Sequence, residues 1–336
     1  MSKRIIKNLF HYADKQGADN LIIENNNKEI SFSYNFPDGE TQNFGLPKKL
    51  EASLTENLRQ VLKVAPGELV NRKYCKIYDK NYHLRFYLNV LPAESGEKII
   101  INIIKRNPRL WRLKQLGLQR GQYKELKKTS KKNSGLIIIS SPDGEGKSTT
   151  MYSLLQELNT NTRNTYLLDS TPEYKLDNIN QLKLNKTNWN RVVSHDSDII
   201  ALDDINDDKT LQEAIKAVVS GRLVILTTSA KSSWEVLLRI LKLKMPLSEK
   251  LEALDTIINQ RIVKLKRAKK KNEREEIALF EVLTLNADMK KYILDSRHDP
   301  EKEKFWESLV ILARANGFKT LGEDLEKKTK DGLIDL

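Results

Sequence analysis

The segment Leu136-Ile-Ile-Ile-Ser-Ser-Pro-Asp-Gly-Glu-Gly-Lys-Ser-Thr-Thr-Met-Tyr152 constrains this chain more than any other. An unbroken apolar run, a glycine-bearing turn and then apolar residues at helical spacing read as a buried strand, a tight loop and the start of a helix. The loop carries Gly144, Gly146, Lys147 and Ser148. Backbone amides in such a loop cradle the phosphates of a nucleoside triphosphate, helped by the positive end of the helix. The expected cradle is Asp143, Gly144, Glu145, Gly146, Lys147, Ser148 and Thr149. Lys147 would neutralise the β- and γ-phosphates, and the Ser148 hydroxyl would reach Mg²⁺. Ser141 stands where the full pattern has glycine, a change expected to tighten the turn without abolishing phosphate binding.

A second element supports ATP chemistry. Asp198-Ile-Ile-Ala-Leu-Asp203-Asp204 is an apolar strand that ends in two acids. One carboxylate, Asp203, can hold Mg²⁺, and the next, Asp204, can orient or activate the attacking water. Paired aspartates also end strands simply as caps, but the preceding phosphate loop favours the catalytic reading.

Around these motifs, strand and helix signals alternate, which predicts a largely parallel α/β sheet from about residue 134 to residue 336. Met151, Leu154, Leu155 and Leu158 share one helical face, as do Leu211, Ala214, Ile215 and Val218, the latter stopped by Gly221. Leu223 to Thr227 reads as a buried strand, and the C-terminal third as mostly helical. Residues 1–106 read as a separate, smaller α+β domain. It has a helix first, strands near 20–24, 31–34, 73–78, 83–90 and 98–104, a helix over Leu50–Val64, and a hairpin turn at Asp79-Lys80-Asn81. Residues 107–133 are basic and helix-rich and contain Pro108, Gly117 and Gly121, so they read as a linker, solvated or touching phosphate.

Composition narrows the setting. The net charge of +13 favours polyanionic partners or reflects a lysine-rich genome. The lone Cys75 leaves no intramolecular disulfide and no cysteine-rich zinc site, and fits a reducing cytosol. No segment reaches the roughly 18 apolar residues of a membrane span. A cytoplasmic protein is expected, attached to a membrane through partners.

These segments together resemble the secretion ATPases of type IV pilus assembly and type II secretion over nearly the whole chain. Gly144 to Asn159 is similar to that family's phosphate loop and first helix. Asp169-Ser-Thr-Pro-Glu-Tyr174, followed by Ile179 to Asn185, resembles its Asp box and the next strand. Asp196 to Ile200 with Asp204-Ile-Asn-Asp207 resembles its Walker B region, and Ser220-Gly-Arg-Leu-Val224 its His box. Asn259-Gln-Arg-Ile-Val263, Phe280-Glu-Val-Leu283 and Thr320-Leu-Gly-Glu-Asp324 are similar to its C-terminal segments, and Leu91 to Lys98 fits its N-terminal PAS-like domain. The resemblance implies a RecA-like domain behind a PAS-like one. It also implies a homo- or hetero-hexamer with ATP and Mg²⁺ between the two domains, and an inner-membrane platform protein as partner. Nucleic acid is not expected, because no nucleic-acid-binding module appears.

The departures from the family are specific. Its Walker B glutamate corresponds to Asp204, and the first glutamate of its Asp box to Asp169, the second being kept as Glu173. Asp203 stands where the family has glycine. The His box has Arg222 and Ser229 in place of its histidines. Two arginine positions of the first domain hold Tyr87 and Asn102, with Arg85 as a substitute or simply a solvent-facing side chain. Lys264 to Arg274 replaces a four-cysteine zinc loop, and the further N-terminal domain of many assembly ATPases is not expected. The resulting candidates are Lys147, Asp169 and Asp204 for catalysis, Ser148 and Asp203 for Mg²⁺, and Arg85 for nucleotide, with Arg222 and Arg261 weaker. Two readings remain: a motor subunit with weakened hydrolysis, or a hydrolysis-deficient paralogue that partners an active ATPase.

Overall fold

The structure is a computed structural model. It describes residues 2–25, 29–36, 39–78, 83–93, 96–104, 110–158, 162–170, 176–266, 276–295, 300 and 302–335. The chain divides into two compact units, Met1–Arg109 and Leu110–Leu336.

The first unit comprises α1 (Ser2–Gln16), β1 (Asn20–Asn25), β2 (Glu29–Asn35), β3 (Thr41–Pro47), α2 (Glu51–Leu62), β4 (Val70–Tyr78), β5 (His83–Ala93) and β6 (Gly96–Ile104). The strands form one antiparallel sheet in the order β3-β2-β1-β6-β5-β4. Alternate residues face one core, with Leu21, Ile23, Phe32, Phe86, Leu88 and Ile101 packed against Leu54, Leu58 and Leu62 of α2. The expected elements are present, and β3 is an addition. Its sequence Thr-Gln-Asn-Phe-Gly-Leu-Pro lacks apolar alternation because it is an exposed edge strand. The hairpin turn at Asp79-Lys80-Asn81 lies outside the described residues, although Tyr78 and His83 on either side pair with each other.

The second unit opens with α3 (Arg120–Ser130), β7 (Gly135–Ser141), α4 (Lys147–Leu158), β8 (Thr165–Leu168), β9 (Asn180–Leu182) and α5 (Lys186–Ser194). It continues with β10 (Ile199–Leu202), α6 (Asp208–Val219), β11 (Leu223–Ser229), α7 (Ser233–Lys242) and α8 (Leu247–Ala253). It closes with β12 (Leu254–Lys264), β13 (Glu276–Thr284), α9 (Ala287–Leu294), α10 (Glu303–Ala315) and α11 (Leu321–Lys330). The sheet order is β13-β12-β7-β11-β10-β8-β9. Every neighbouring pair is parallel except β12 with β13. The continuous apolar runs follow from burial on both faces. In β7, Leu136 and Ile138 enter one core with α6 to α10, while Ile137 and Ile139 enter the other with Met151 and Leu155 of α4.

Two expectations change. Residues 110–133 are not a linker: Leu113, Leu116 and Leu126 are buried in the core beneath α4, so the basic residues decorate a structural helix. The C-terminal third is less helical than its sequence suggests, because β12 and β13 form an antiparallel pair along Thr256–Lys264 and Glu276–Thr284. Buried Asn259, Gln260 and Glu281 interrupt the apolar pattern that would have announced these strands.

The C-terminal Thr-Leu-Gly-Glu-Asp motif has a structural task. Thr320 caps α11, and fully buried Asp324 accepts the amide of Phe280 at 2.8 Å and the side-chain amide of Gln119 at 2.6 Å. It also pairs with Lys328, which donates to the Ala278 carbonyl at 2.8 Å. Breaking one partner of a buried pair strands the other, so Asp324→Ala should cost about 3–5 kcal/mol in denaturant unfolding, with Asp324→Asn less damaging.

Candidate nucleotide-binding site

In a parallel sheet, the loops after the carboxyl ends of the strands converge on one crevice. Here β7 ends at Ser141, β8 runs into Asp169, β10 into Asp203 and Asp204, and β11 ends at Ser229. The sheet therefore brings together the phosphate loop, both Walker B acids and the Asp-box acid.

Ser141 is the last residue of β7, buried, and paired in register with Ser229. Its backbone is not in the left-handed region, so glycine is not required and the substitution does not tighten a turn. Turning falls to Gly144 (φ 84) and Gly146 (φ 77). At Gly146 a Cβ would also stand 3.1 Å from Ile262 Cδ1, so position and conformation both demand glycine. Helix α4 starts at Lys147, which leaves its first-turn amides without helical acceptors and available to an anion. Thr149 is half-buried in that turn, its carbonyl accepting from Ser153 Oγ at 2.8 Å.

Lys147 is buried, and its Nζ lies 3.1 Å from the Ser141 carbonyl, 3.3 Å from that of Pro142, 3.0 Å from Asp143 Oδ1 and 3.2 Å from Ser229 Oγ. Beside it, Ser148 Oγ donates to the Asp203 carboxylate at 2.9 Å. Thr227 Oγ1 donates to the same carboxylate at 2.5 Å and itself accepts the Asp204 amide at 2.7 Å. Burial pushes the Asp203 carboxyl up from 3.8 to about 6, and the charge of Asp169 adds to the rise, against the two hydroxyl donors. A magnesium ion fits this donor set, a serine hydroxyl beside a carboxylate, since Mg²⁺ prefers oxygen ligands and completes its shell with water and phosphate.

Asp204 is exposed and left-handed (φ 59), a conformation that aspartate tolerates better than most residues. Asn206 Nδ2 donates to its carboxylate at 2.9 Å. Asn206 Oδ1 in turn accepts the Ser229 amide at 3.1 Å, and Arg239 donates to the Asn206 carbonyl at 2.8 Å and to Thr228 Oγ1 at 3.2 Å. Asp169 is buried and accepts the phenol of Tyr152, which ties the end of β8 to α4.

A brace from β12 completes the loop. Buried Gln260 donates to the Glu145 carbonyl at 2.5 Å and accepts from Thr150 Oγ1 at 2.7 Å. The Ile262 amide donates to Glu145 Oε2 at 2.5 Å. Glu145 and Gly146 are thus shaped by the Gln-Arg-Ile-Val segment. The motif was visible in the sequence, but the roles of Gln260 and Thr227 were not, because each acts through a contact distant in sequence.

Three arginine candidates fare differently. Arg222 sits at the amino end of β11, seven residues before Ser229, and donates to Ser197 Oγ at 3.1 Å and the Val193 carbonyl at 2.8 Å. It is therefore at the wrong end of the sheet for nucleotide. Arg261 is half-buried next to the brace and donates to the Gln260 carbonyl at 2.7 Å and the Lys231 carbonyl at 2.9 Å. Arg85 lies on β5, opposite Ile104, but its side chain is outside the described residues, as are Glu173 and the basic run 267–274. Tyr87 and Asn102, which hold the other arginine positions, pair directly across β5 and β6.

A family model described as Type II/IV secretion system protein matches residues 2–292. The chain is 27% identical over 273 residues to the putative type II secretion system protein E of Escherichia coli K12, covering 78% of this chain and 55% of that protein. It is 24% identical over 273 residues to the type IV pilus assembly ATPase PilB of Thermus thermophilus, covering 78% and 31%. The chain spans about half the length, or less, of the curated relatives it matches. The solved ATPase DotB of Legionella pneumophila superposes with a TM-score of 0.72 over 98% of this chain and 93% of that one at 17% identity, which establishes the α/β ATPase fold.

Two outcomes test this geometry. Gln260→Ala removes a buried amide and leaves the Glu145 carbonyl and Thr150 hydroxyl without it. It should cost about 1–3 kcal/mol of stability and weaken nucleotide affinity, read by denaturant melts and calorimetry. The raised Asp203 carboxyl means the folded chain holds more protons than the unfolded one between its usual 3.8 and about 6. Its contribution to stability therefore falls as pH rises through that window. Melting temperature against pH should slope downward there for the native chain relative to Asp203→Asn.

Proposed function

The chain belongs to the type II/IV secretion system protein family, and from that premise we propose that it is an ATP-binding motor subunit with slow hydrolysis. It powers the assembly of a type IV pilus or pseudopilus, or type II secretion. The observation that carries the reading is the closed set of Ser148, Asp203 and Thr227 beside a glycine-turned loop with a buried lysine.

In this reading the amides from Gly144 to Thr149 hold the phosphates and Lys147 offsets their charge. Ser148 Oγ and Asp203 would hold Mg²⁺, which when bound would supply further neutralisation of the phosphates' charge. Asp204, steadied by Asn206, orients the attacking water, and Asp169 sets the charge around Asp203 and anchors α4 through Tyr152. Hydrolysis is slow for two reasons. Asp204 is one methylene shorter than the family's glutamate, and a misplacement of about 1 Å costs on the order of 10² in rate. Ser229 supplies no imidazole where the family has histidine. The active form is a homo- or hetero-hexamer at the cytoplasmic face of the membrane, working on an inner-membrane platform protein. Among the described residues no helix is long and apolar enough to cross a membrane.

The same two departures favour a second reading, a hydrolysis-deficient subunit that binds ATP within a mixed ring. Steady-state turnover separates them. The motor reading expects Mg·ATP hydrolysis that Lys147→Ala abolishes and that Asp204→Glu raises by up to about a hundredfold. Turnover equal to that of Lys147→Ala, with nucleotide still bound, would establish the partner subunit instead. Failure of the native chain to bind Mg·ATP in low-salt calorimetry removes both.

A further inference from the structure

The phosphate loop carries an acid at a telling place. Asp143 Oδ1 accepts from Lys147 Nζ at 3.0 Å and from Ser229 Oγ at 2.9 Å. The Lys147 side chain is 9% exposed and that of Asp143 74% exposed, so the ammonium lies beneath and the carboxylate lies at the mouth. The other acceptors of Lys147 are the neutral carbonyls of Ser141 and Pro142 and the Ser229 hydroxyl. An anion approaching Lys147 from solvent therefore meets a carboxylate already paired with it.

We propose that Asp143 is an internal competitor for the nucleotide's phosphates, an autoinhibitory latch that occupies Lys147 and Ser229 until a triphosphate displaces it. The inference rests on the reading of this loop as an ATP site and adds a regulatory feature to it. Two like charges cannot both sit within a few ångströms of one ammonium without each weakening the other. Binding therefore requires the carboxylate to leave Lys147, and affinity is lowered by the pairing that is lost. When Asp143 swings aside, the ammonium and the Ser229 hydroxyl are released together to meet the incoming phosphate. Ser229 thereby takes part in phosphate contact although it lacks the imidazole of the family's His box. Because Asp143 is exposed, the competition is screened by salt.

The test is calorimetric titration of the native chain, Asp143→Asn and Asp143→Thr with Mg·ATP at low and high ionic strength. Asn keeps the shape and removes the charge; Thr also shortens the side chain. Both variants should bind about tenfold more tightly than the native chain at low salt, with the gain shrinking as salt rises. Without nucleotide, their melting temperatures should match or fall slightly below the native value, since one partly exposed ion pair is lost. Native binding with equal or weaker binding by both folded variants overturns the latch and leaves the ATP site standing. Absence of binding by all three proteins overturns the ATP site and the latch with it.

Discussion

A carboxylate drawn out of water at the end of a buried strand has to be met by donors, and Asp203 is met from two other elements. The hydroxyl of Ser148 comes from the first turn of α4 and that of Thr227 from the interior of β11. Neither contact survives a slip of one residue, because a slip turns a strand side chain to the opposite face and swings a helical one about 100° around its axis. The acid thus fixes the register of α4, β10 and β11 at one point. Its demand for positive charge gives the crevice a use for a divalent cation.

Much of this was legible in the chain, and the reason is burial. The strand β7 is apolar on both faces, so its residues form an unbroken run, and glycines at 144 and 146 punctuate it where φ turns positive. The Walker B strand is legible for the same reason. What failed to show was polar and buried at once. Asn259 and Gln260 lie in the interior, where an apolar pattern would be expected, because their amides serve the loop and the neighbouring strand. The pair β12 and β13 was hidden behind them. Arg222 shows a different limit: the spacing of a motif locates a residue on a strand but not at the useful end of it. Ser141 shows a third, since it is harmless only because the position proves to be extended strand.

The basic stretch before β7 illustrates how packing revises a reading of composition. Lys124, Lys127, Lys128 and Lys131 look like linker residues until Leu126 is seen to be buried with Leu113 and Leu116 against α4. Lys127 pairs with Glu157 of α4 and lies over the ring of Tyr123, so part of the charge is engaged locally. The helix is held by buried Leu126, Thr129 and Ser130, and its lysines line a groove of about 710 Å³ together with Leu118 and Tyr123.

The contact between Gln119 and Asp324 spans 205 positions of sequence. It joins the first helix of the second unit to its last, with the edge strand β13 held between them through the Phe280 amide. During synthesis the α4 region and the central strands emerge long before α11 exists. The seam beside β13 must therefore stay open on the ribosome, with the Phe280 amide and the Gln119 side chain still served by water. Closure waits until α11 has emerged, so one of the first-made parts of the unit is among the last to be locked.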